Sequence, residues 1–411
     1  MNKSTKDVKY FRLLVTPYQN KKLSIYRWYH FNHSFSRDLV WYLIDKFNLN
    51  SQSTILDPFC GSGTTLLAAK EKGIFAMGID ILPLSVFISN AKLQNYNIKK
   101  IKYKIKELGE FLNNRKRSAS LIPEIGILHK VFDQETLFNI FAVKSWVQRI
   151  KSKNFRYFFL TALLSVVEKV ALAKKDGGFL RMVPNKETSR FKEVLFGKIN
   201  EMLTDLECSD SLSQQNNIKS KAFLGDARQI CFSTESFDAV ITSPPYLNRH
   251  DYTRVYILEL AVGFLKSENE IKELRYKTLR SHVEARRNFT KDQNYGEPIS
   301  LKNIIEKLKR KELPNKQVIP MIEGYFEDMY LVLKEVVRII KQGSFAALVI
   351  GDVRYGGILI PVSEILVEIG NSLGLTHQET LVARFRGNSP QQMREFGRMP
   401  AKESIIIWKK K

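Results

Sequence analysis

The sequence predicts an α/β protein built on a doubly wound, Rossmann-like sheet, and three observations carry that prediction. First, the apolar run TILDPF at 54 to 59 is followed by the glycine loop CGSGTT and then by LLAAKEKG, a helical pattern stopped at Gly73. Second, the next apolar run, IFAMGID, ends on Asp80. A strand, a glycine loop, a helix and a strand closing on an acid form the opening unit of such a sheet. Third, KAFLGDARQI, FDAVITSPPY and GSFAALVIGD read as further strands scattered along the chain, so the sheet is assembled from separated pieces.

The remaining elements follow in order. MIEGYFEDMYLVLKEVVRII, 321 to 340, has helical apolar periodicity, and PVSEILVEIGNSLG reads as a second helix. THQETLVARFRG pairs with KESIIIWKK as a closing hairpin. Two stretches interrupt this core. One, 96 to 217, holds helical runs such as FRYFFLTALLSVVEKVALA; the other, 261 to 319, is rich in Lys and Arg. The predicted division is a core at 24 to 95, 218 to 260 and 320 to 411, with two mainly helical insertions between its parts.

Composition narrows the class. A chain of 411 residues, 44% hydrophobic and 26% charged, can bury a full core, which excludes disordered and fibrous proteins. The unusual quantity is charge: 65 Lys and Arg against 42 Asp and Glu leave +23, pointing to a polyanionic partner, most simply nucleic acid. The first residues lack the apolar core of a signal peptide, and no run is long enough to cross a bilayer, so a cytoplasmic protein without a membrane partner is expected. Cys60, Cys208 and Cys231 form no C-x-x-C pair, which supports neither a disulfide framework nor a metal site.

In DPFCGSGTT, Gly61 and Gly63 let the backbone turn sharply and let a ligand approach the helix amino terminus behind them. No Gly-Lys-Ser/Thr follows, so this is not a P-loop. Leu66 stands where the dinucleotide fingerprint has its third glycine. A tight turn with no ligand is the plain alternative. Asp80, at a strand end, can accept both hydroxyls of a ribose or be an ordinary loop acid; Asp226 can accept from the amine of an adenine or cap the segment ARQI.

Asp57-Pro58-Phe59-Cys60-Gly61-Ser62-Gly63-Thr64 resembles the S-adenosylmethionine loop of the DNA methyltransferases that modify exocyclic amines, and Ser243-Pro244-Pro245-Tyr246 resembles their catalytic loop. The resemblance covers the sheet segments, about half of the chain, and leaves out the insertions. It implies a class I S-adenosylmethionine-dependent methyltransferase fold. YRWYHFNHSFSRDLVWYLIDKF, ahead of the glycine loop, resembles the element these enzymes fold against the methionine end of the cofactor. Cofactor contacts are therefore expected at Ser36, Asp57, Phe59, Gly61, Ser62, Gly63, Thr64, Asp80 and Asp226. The cofactor loop precedes the catalytic loop here, the reverse of a well-known group of these enzymes, and a parallel sheet tolerates that permutation.

An aminopyrimidine nitrogen is a poor nucleophile because its lone pair is delocalised into the ring. The site must draw density back onto nitrogen and hold it in line with the sulfonium methyl. The resemblance implies that Ser243 and the Pro244 carbonyl accept the two amine N–H bonds, that Pro244 and Pro245 stiffen the loop, and that Tyr246 stacks on a base flipped from its duplex. Serine in the first position is associated mainly with N4 of cytosine, and Asp or Asn with N6 of adenine. Cytosine C5 chemistry needs a Pro-Cys loop that is missing, and Cys60 reads as a packing residue.

Sequence readout is expected from the insertions, which carry Arg and Lys into the DNA. The candidates are Lys174, Lys175 and Arg181 in AKKDGGFLRMVPN, Arg275, Lys277, Arg280, Arg286 and Arg287 in the basic insertion, and Arg386 and Arg394 in the final loop. The plain alternative is solvated charge. The expected protein is a restriction-modification enzyme that methylates cytosine N4 in double-stranded DNA beside a cognate endonuclease. An adenine-N6 enzyme, an RNA guanine-N2 methyltransferase, in which the residue before the prolines is usually acidic, and a non-catalytic nucleic-acid binder of the same fold are the alternatives.

Overall fold

The computed structural model describes residues 5–114, 122–183, 186, 190–208, 218–285, 292–313, 315–387, 393 and 397–411. Its sheet strands are β1 (Thr54–Asp57), β2 (Phe75–Asp80), β3 (Lys221–Leu224), β4 (Phe237–Thr242), β5 (Ile340–Gly351), β6 (Leu375–Arg386) and β7 (Ala401–Lys410). They lie in the order β6-β7-β5-β4-β1-β2-β3. Pairing is parallel from β3 across to β5, and β7 runs antiparallel to both β5 and β6. With this order and single reversed strand the protein has the class I S-adenosylmethionine-dependent methyltransferase fold, with the closing hairpin at its edge.

Strand residues alternate between two apolar layers. Ile55, Ala239, Ile241, Ala347 and Val349 join one; Leu56, Val240, Ala346, Leu348 and Ile350 join the other. A parallel sheet covered on both faces requires this, which explains the unbroken apolar runs of β4 and β5. Helices α1 (Arg37–Lys46), α2 (Thr64–Glu71) and α3 (Pro83–Leu93) supply the first layer; α4 (Val318–Ile339) and α5 (Val362–Ser372) supply the second.

Chain order reverses direction between β1 and β4, and there the carboxyl ends of β1, β2 and β4 come together. Open α/β sheets bind ligands at such a switch point. The first insertion extends the first layer with helices Ile98–Asn114, Gln134–Arg149, Lys153–Val170 and Phe191–Glu207, and adds a hairpin, Ala173–Asp176 with Phe179–Met182. The second contributes Ile271 and Leu274 to the first layer and Leu301, Ile304 and Leu308 to the second. It therefore crosses the strand ends. Among the described residues, no helix is long and apolar enough to cross a membrane.

Asp205 fastens the first insertion to the segment ahead of α1. Its carboxylate, 1% exposed, accepts from Ile25 N at 3.0 Å, Trp28 Nε1 at 3.1 Å and the Arg27 guanidinium at 2.5 Å. Ile25 has φ 67, an unfavourable region for a β-branched residue, so its amide is held where the chain alone would not put it. Asp205→Ala orphans two buried donors and is expected to cost about 3 kcal/mol of stability. A urea denaturation midpoint unchanged from the native protein would contradict this.

Candidate active site

The loop after β1 is shaped by backbone requirements. Gly61 has φ 50 and Gly63 φ 80, both left-handed, and Gly63 caps α2. A Cβ on Gly63 would stand 2.8 Å from Ser89 Oγ and 3.0 Å from Ser89 Cα, because α3 packs directly on the turn. Ser89 Oγ also donates to Gly61 O at 2.9 Å. On the other side Gly61 N and Leu82 N each donate to one Asp80 oxygen at 2.9 Å, tying the loop to the end of β2.

Asp57 holds the loop from beneath. It is 2% exposed and accepts from Thr65 Oγ1 at 2.6 Å, Thr242 Oγ1 at 2.6 Å and Phe59 N at 3.1 Å. Thr65 lies in the first turn of α2, and Thr242 is the last residue of β4, immediately before Ser243. Burial pushes the Asp57 carboxyl up to about 6 against the pull of these donors, and burial does the same to Asp80.

A cavity of about 700 Å³, counting its open mouth, lies over these strand ends. Phe59, Ile81, Leu82 and Leu279 give it apolar walls, while Asp80 and Asp226 give it acids. Phe31 closes one side, stacked on Tyr256 with centroids 4.5 Å apart. This fits S-adenosylmethionine. Gly61 borders the cavity without a side chain, Asp80 lines it as an acid at the end of β2, and the apolar wall suits a purine. Asp226 is chelated by Arg228 through Nε at 2.9 Å and Nη2 at 2.7 Å; Arg228 in turn pairs with Asp328 at 3.2 Å.

A second, more polar cavity adjoins the first, lined by Ser34, Ser243, Pro244, Tyr246, His250 and Arg386 among others. Ser243, His33 and Tyr252 border both. The proline loop is braced from behind: Tyr325 Oη donates to Pro245 O at 3.0 Å, and Tyr355 Oη to Leu247 O at 2.9 Å. Ser243 Oγ donates to Val349 O at 3.1 Å, and Tyr246 Oη to Glu403 at 2.8 Å. Burial lowers His33 to about 3 and His250 to about 4, so both imidazoles are neutral at pH 7.

Of the predicted residues, Phe59, Gly61, Asp80, Asp226 and Pro245 line the first cavity, Pro244 and Tyr246 the second, and Ser243 both. Asp57, Ser62, Gly63 and Thr64 line neither and are buried in the strand end and turn beneath. Ser36 lies elsewhere: it is fully buried, and its Oγ caps α1 by accepting from Leu39 N at 3.3 Å. Ser34, two residues earlier, borders the second cavity and meets Thr64 Oγ1 at 3.0 Å. A serine directly ahead of an apolar helical run is a capping signal, and that signal separates the two. Phe31 and His33 fall inside the segment YRWYHFNHSFSRDLVWYLIDKF without a pattern that singles them out within it, and Tyr252, Leu279 and Glu403 carry no sequence pattern that marks them. Cys60 is buried with its thiol pushed well above the usual range by burial, as a packing residue.

The basic candidates divide. Lys174 is exposed, and Arg181 is half-exposed beside Asp176 at 2.8 Å. Three others turn inward instead of facing solvent. Lys175 is 7% exposed and paired with Glu259, Arg275 pairs with Asp251 at 2.6 Å, and Arg280 pairs with Asp328 at 2.8 Å and Glu327 at 3.0 Å. Lys277 borders the first cavity, so the basic insertion walls that cavity. Arg386 borders the second. Arg286, Arg287 and Arg394 lie outside the described residues.

Known proteins resemble this chain over nearly its whole length. The family profile described as DNA methylase, which groups N6 and N4 methyltransferases, matches residues 2–90. The type II methyltransferase M.BsoBI of Geobacillus stearothermophilus is 30% identical, over 97% of this chain and 88% of the relative. M.AvaI of Nostoc sp. is also 30% identical, over 97% and 89%. M.MvaI of Kocuria varians is 23% identical, over 79% and 75%.

The raised carboxyls set a pH dependence whose sign is fixed. Between an ordinary aspartate value of 3.8 and about 6, the folded chain holds protons on Asp57 and Asp80 that the unfolded chain has released. Stability therefore falls as pH rises through that window. Asp57→Asn keeps the shape, because Thr65 Oγ1 has Ile241 O as a second acceptor at 3.4 Å. The variant is expected to show a shallower fall between pH 4 and 6 in urea midpoints. An equal slope would place the titration elsewhere.

Proposed function

The chain belongs to the DNA methylase family of type II modification methyltransferases, and from that premise we propose that it methylates N4 of a cytosine flipped out of duplex DNA, as the modification partner of a restriction endonuclease. The observation that carries this reading is Ser243, which borders both the cofactor cavity and the polar cavity beside it. A donor in one cavity and an amine in the other meet at that residue.

When bound, S-adenosylmethionine would supply a methyl group from a sulfonium centre: the target nitrogen would form the new C–N bond while the C–S bonding pair stays on sulfur, and the amine proton would pass to solvent. The chain's own residues orient the acceptor. Ser243 Oγ uses its proton on Val349 O, so its lone pairs are left for an amine N–H. Pro244 presents a carbonyl with no competing N–H of its own. Tyr325 and Tyr355 keep the loop from yielding as the amine is drawn in. Flipping costs a few kcal/mol, which contacts between the base and the Tyr246 side of the cavity offset. A net charge of +23 supplies the salt-dependent, sequence-independent part of DNA affinity.

Digestion of DNA methylated with labelled S-adenosylmethionine, followed by mass identification of the labelled nucleoside, tests the reading. N4-methylcytosine is expected. N6-methyladenine would overturn the choice of base, and label found in RNA alone would overturn the substrate. Ser243→Ala is expected to slow turnover about 100-fold or more, on the scale of one lost transition-state hydrogen bond. Its S-adenosylmethionine affinity by calorimetry should stay within about twofold, since a uniform-binding role would move affinity instead. Full activity in this variant would remove Ser243 from the chemistry.

A further inference from the structure

Arg386 is the last residue of β6, and its guanidinium lies over the Tyr246 ring, 5.4 Å from the centroid. The acid nearest to it is already engaged. Glu403, 3% exposed, accepts Tyr246 Oη at 2.8 Å and the Arg384 Nε–H, and Arg386 approaches it only to 3.9 Å. Among the described residues the Arg386 guanidinium makes no hydrogen bond, although it is only 32% exposed and borders the same cavity as Ser243 and Pro244. Gly351 makes the arrangement possible. A Cβ there would stand 3.1 Å from the Tyr246 ring and 3.6 Å from Arg386 Nη2, so the missing side chain is the space that ring and guanidinium share.

The cavity therefore has acceptors on one side, at Ser243 and Pro244, and a rigid fork of unspent donors on another. Such a fork is matched by a planar ligand with two acceptors next to an amine. Cytosine has that edge: N3 and O2 follow the N4 amine in order. Adenine presents only N1 beside its amine and then a C–H. We infer that Arg386 reads the Watson–Crick edge of the flipped cytosine, donating to N3 and O2 while Ser243 and Pro244 face the amine, an inference that rests on the cytosine reading above. Arg386 is then what makes the pocket prefer cytosine, since adenine leaves one arm of a partly buried charged fork without an acceptor.

The test compares the full-length protein with Arg386→Ala on duplexes that carry the mapped recognition sequence, with either cytosine or 3-deazacytosine at the target position. The analogue keeps the amine and O2 and replaces N3 by C–H. Any change in the amine's own reactivity is common to both proteins, so the quantity read is the ratio of their two losses in kcat/KM. The native protein is expected to lose about 10-fold or more beyond the loss in the variant, the scale of a bidentate base contact. Arg386→Lys, which keeps the charge and loses the fork, carries the same comparison if the alanine variant turns over too slowly to measure. Equal losses in native and variant proteins, with N4-methylcytosine as product, would overturn the role of Arg386 and leave the cytosine reading standing. N6-methyladenine as product would overturn both.

Discussion

The Asp57 carboxylate ties β1 and the helix that follows it to a strand far along the chain. It ends β1, accepts from Thr65 at the start of α2, and accepts from Thr242 at the end of β4, 185 residues away in sequence. The cofactor loop and the Ser-Pro-Pro-Tyr loop consequently share one anchor. Neither can shift without breaking a 2.6 Å hydrogen bond inside the layer, where an orphaned partner costs about 1–3 kcal/mol. Methyl transfer demands that donor and acceptor be held in line, and a shared buried anchor is a direct way of fixing their separation. The cost is visible in the same residue, whose carboxyl burial raises to about 6.

A second network connects the cofactor cavity to the basic insertion. Asp226 is clamped by Arg228, Arg228 pairs with Asp328 on α4, and Asp328 receives Arg280 of the insertion. Arg228 Nη2 also donates to Lys277 O at 2.7 Å, and Arg249, just past Tyr246, donates its N–H to Ser281 O at 3.1 Å. The segment from Lys277 to Ser281 thus bonds to both the cofactor side and the catalytic-loop side. Part of the positive charge is structural: it neutralises buried acids around the cavity, where an unpaired carboxylate would be costly.

Much of the fold was legible. The glycine loop, the acids closing β1 and β2, the apolar strands and the closing hairpin all follow from patterns within a dozen residues, and each element appears where periodicity puts it. Other features were not. Ser36 and Ser34 are chemically alike, and only capping geometry assigns one to the helix and the other to the cavity. Lys175, Arg275 and Arg280 read as solvent-facing cations, yet their acids come from elsewhere in the chain, at Glu259, Asp251 and Asp328.

By itself, then, the sequence determined the sheet, the cofactor loop and the proline loop, because propensity, capping and backbone constraints act between near neighbours. Only the tertiary structure decided that Thr242 binds Asp57, that the basic insertion walls the cofactor cavity, and that Arg386 keeps free donors beside Ser243. Those outcomes depend on which side chains the fold brings together across long sequence separations, and residue type alone does not encode the distance between them.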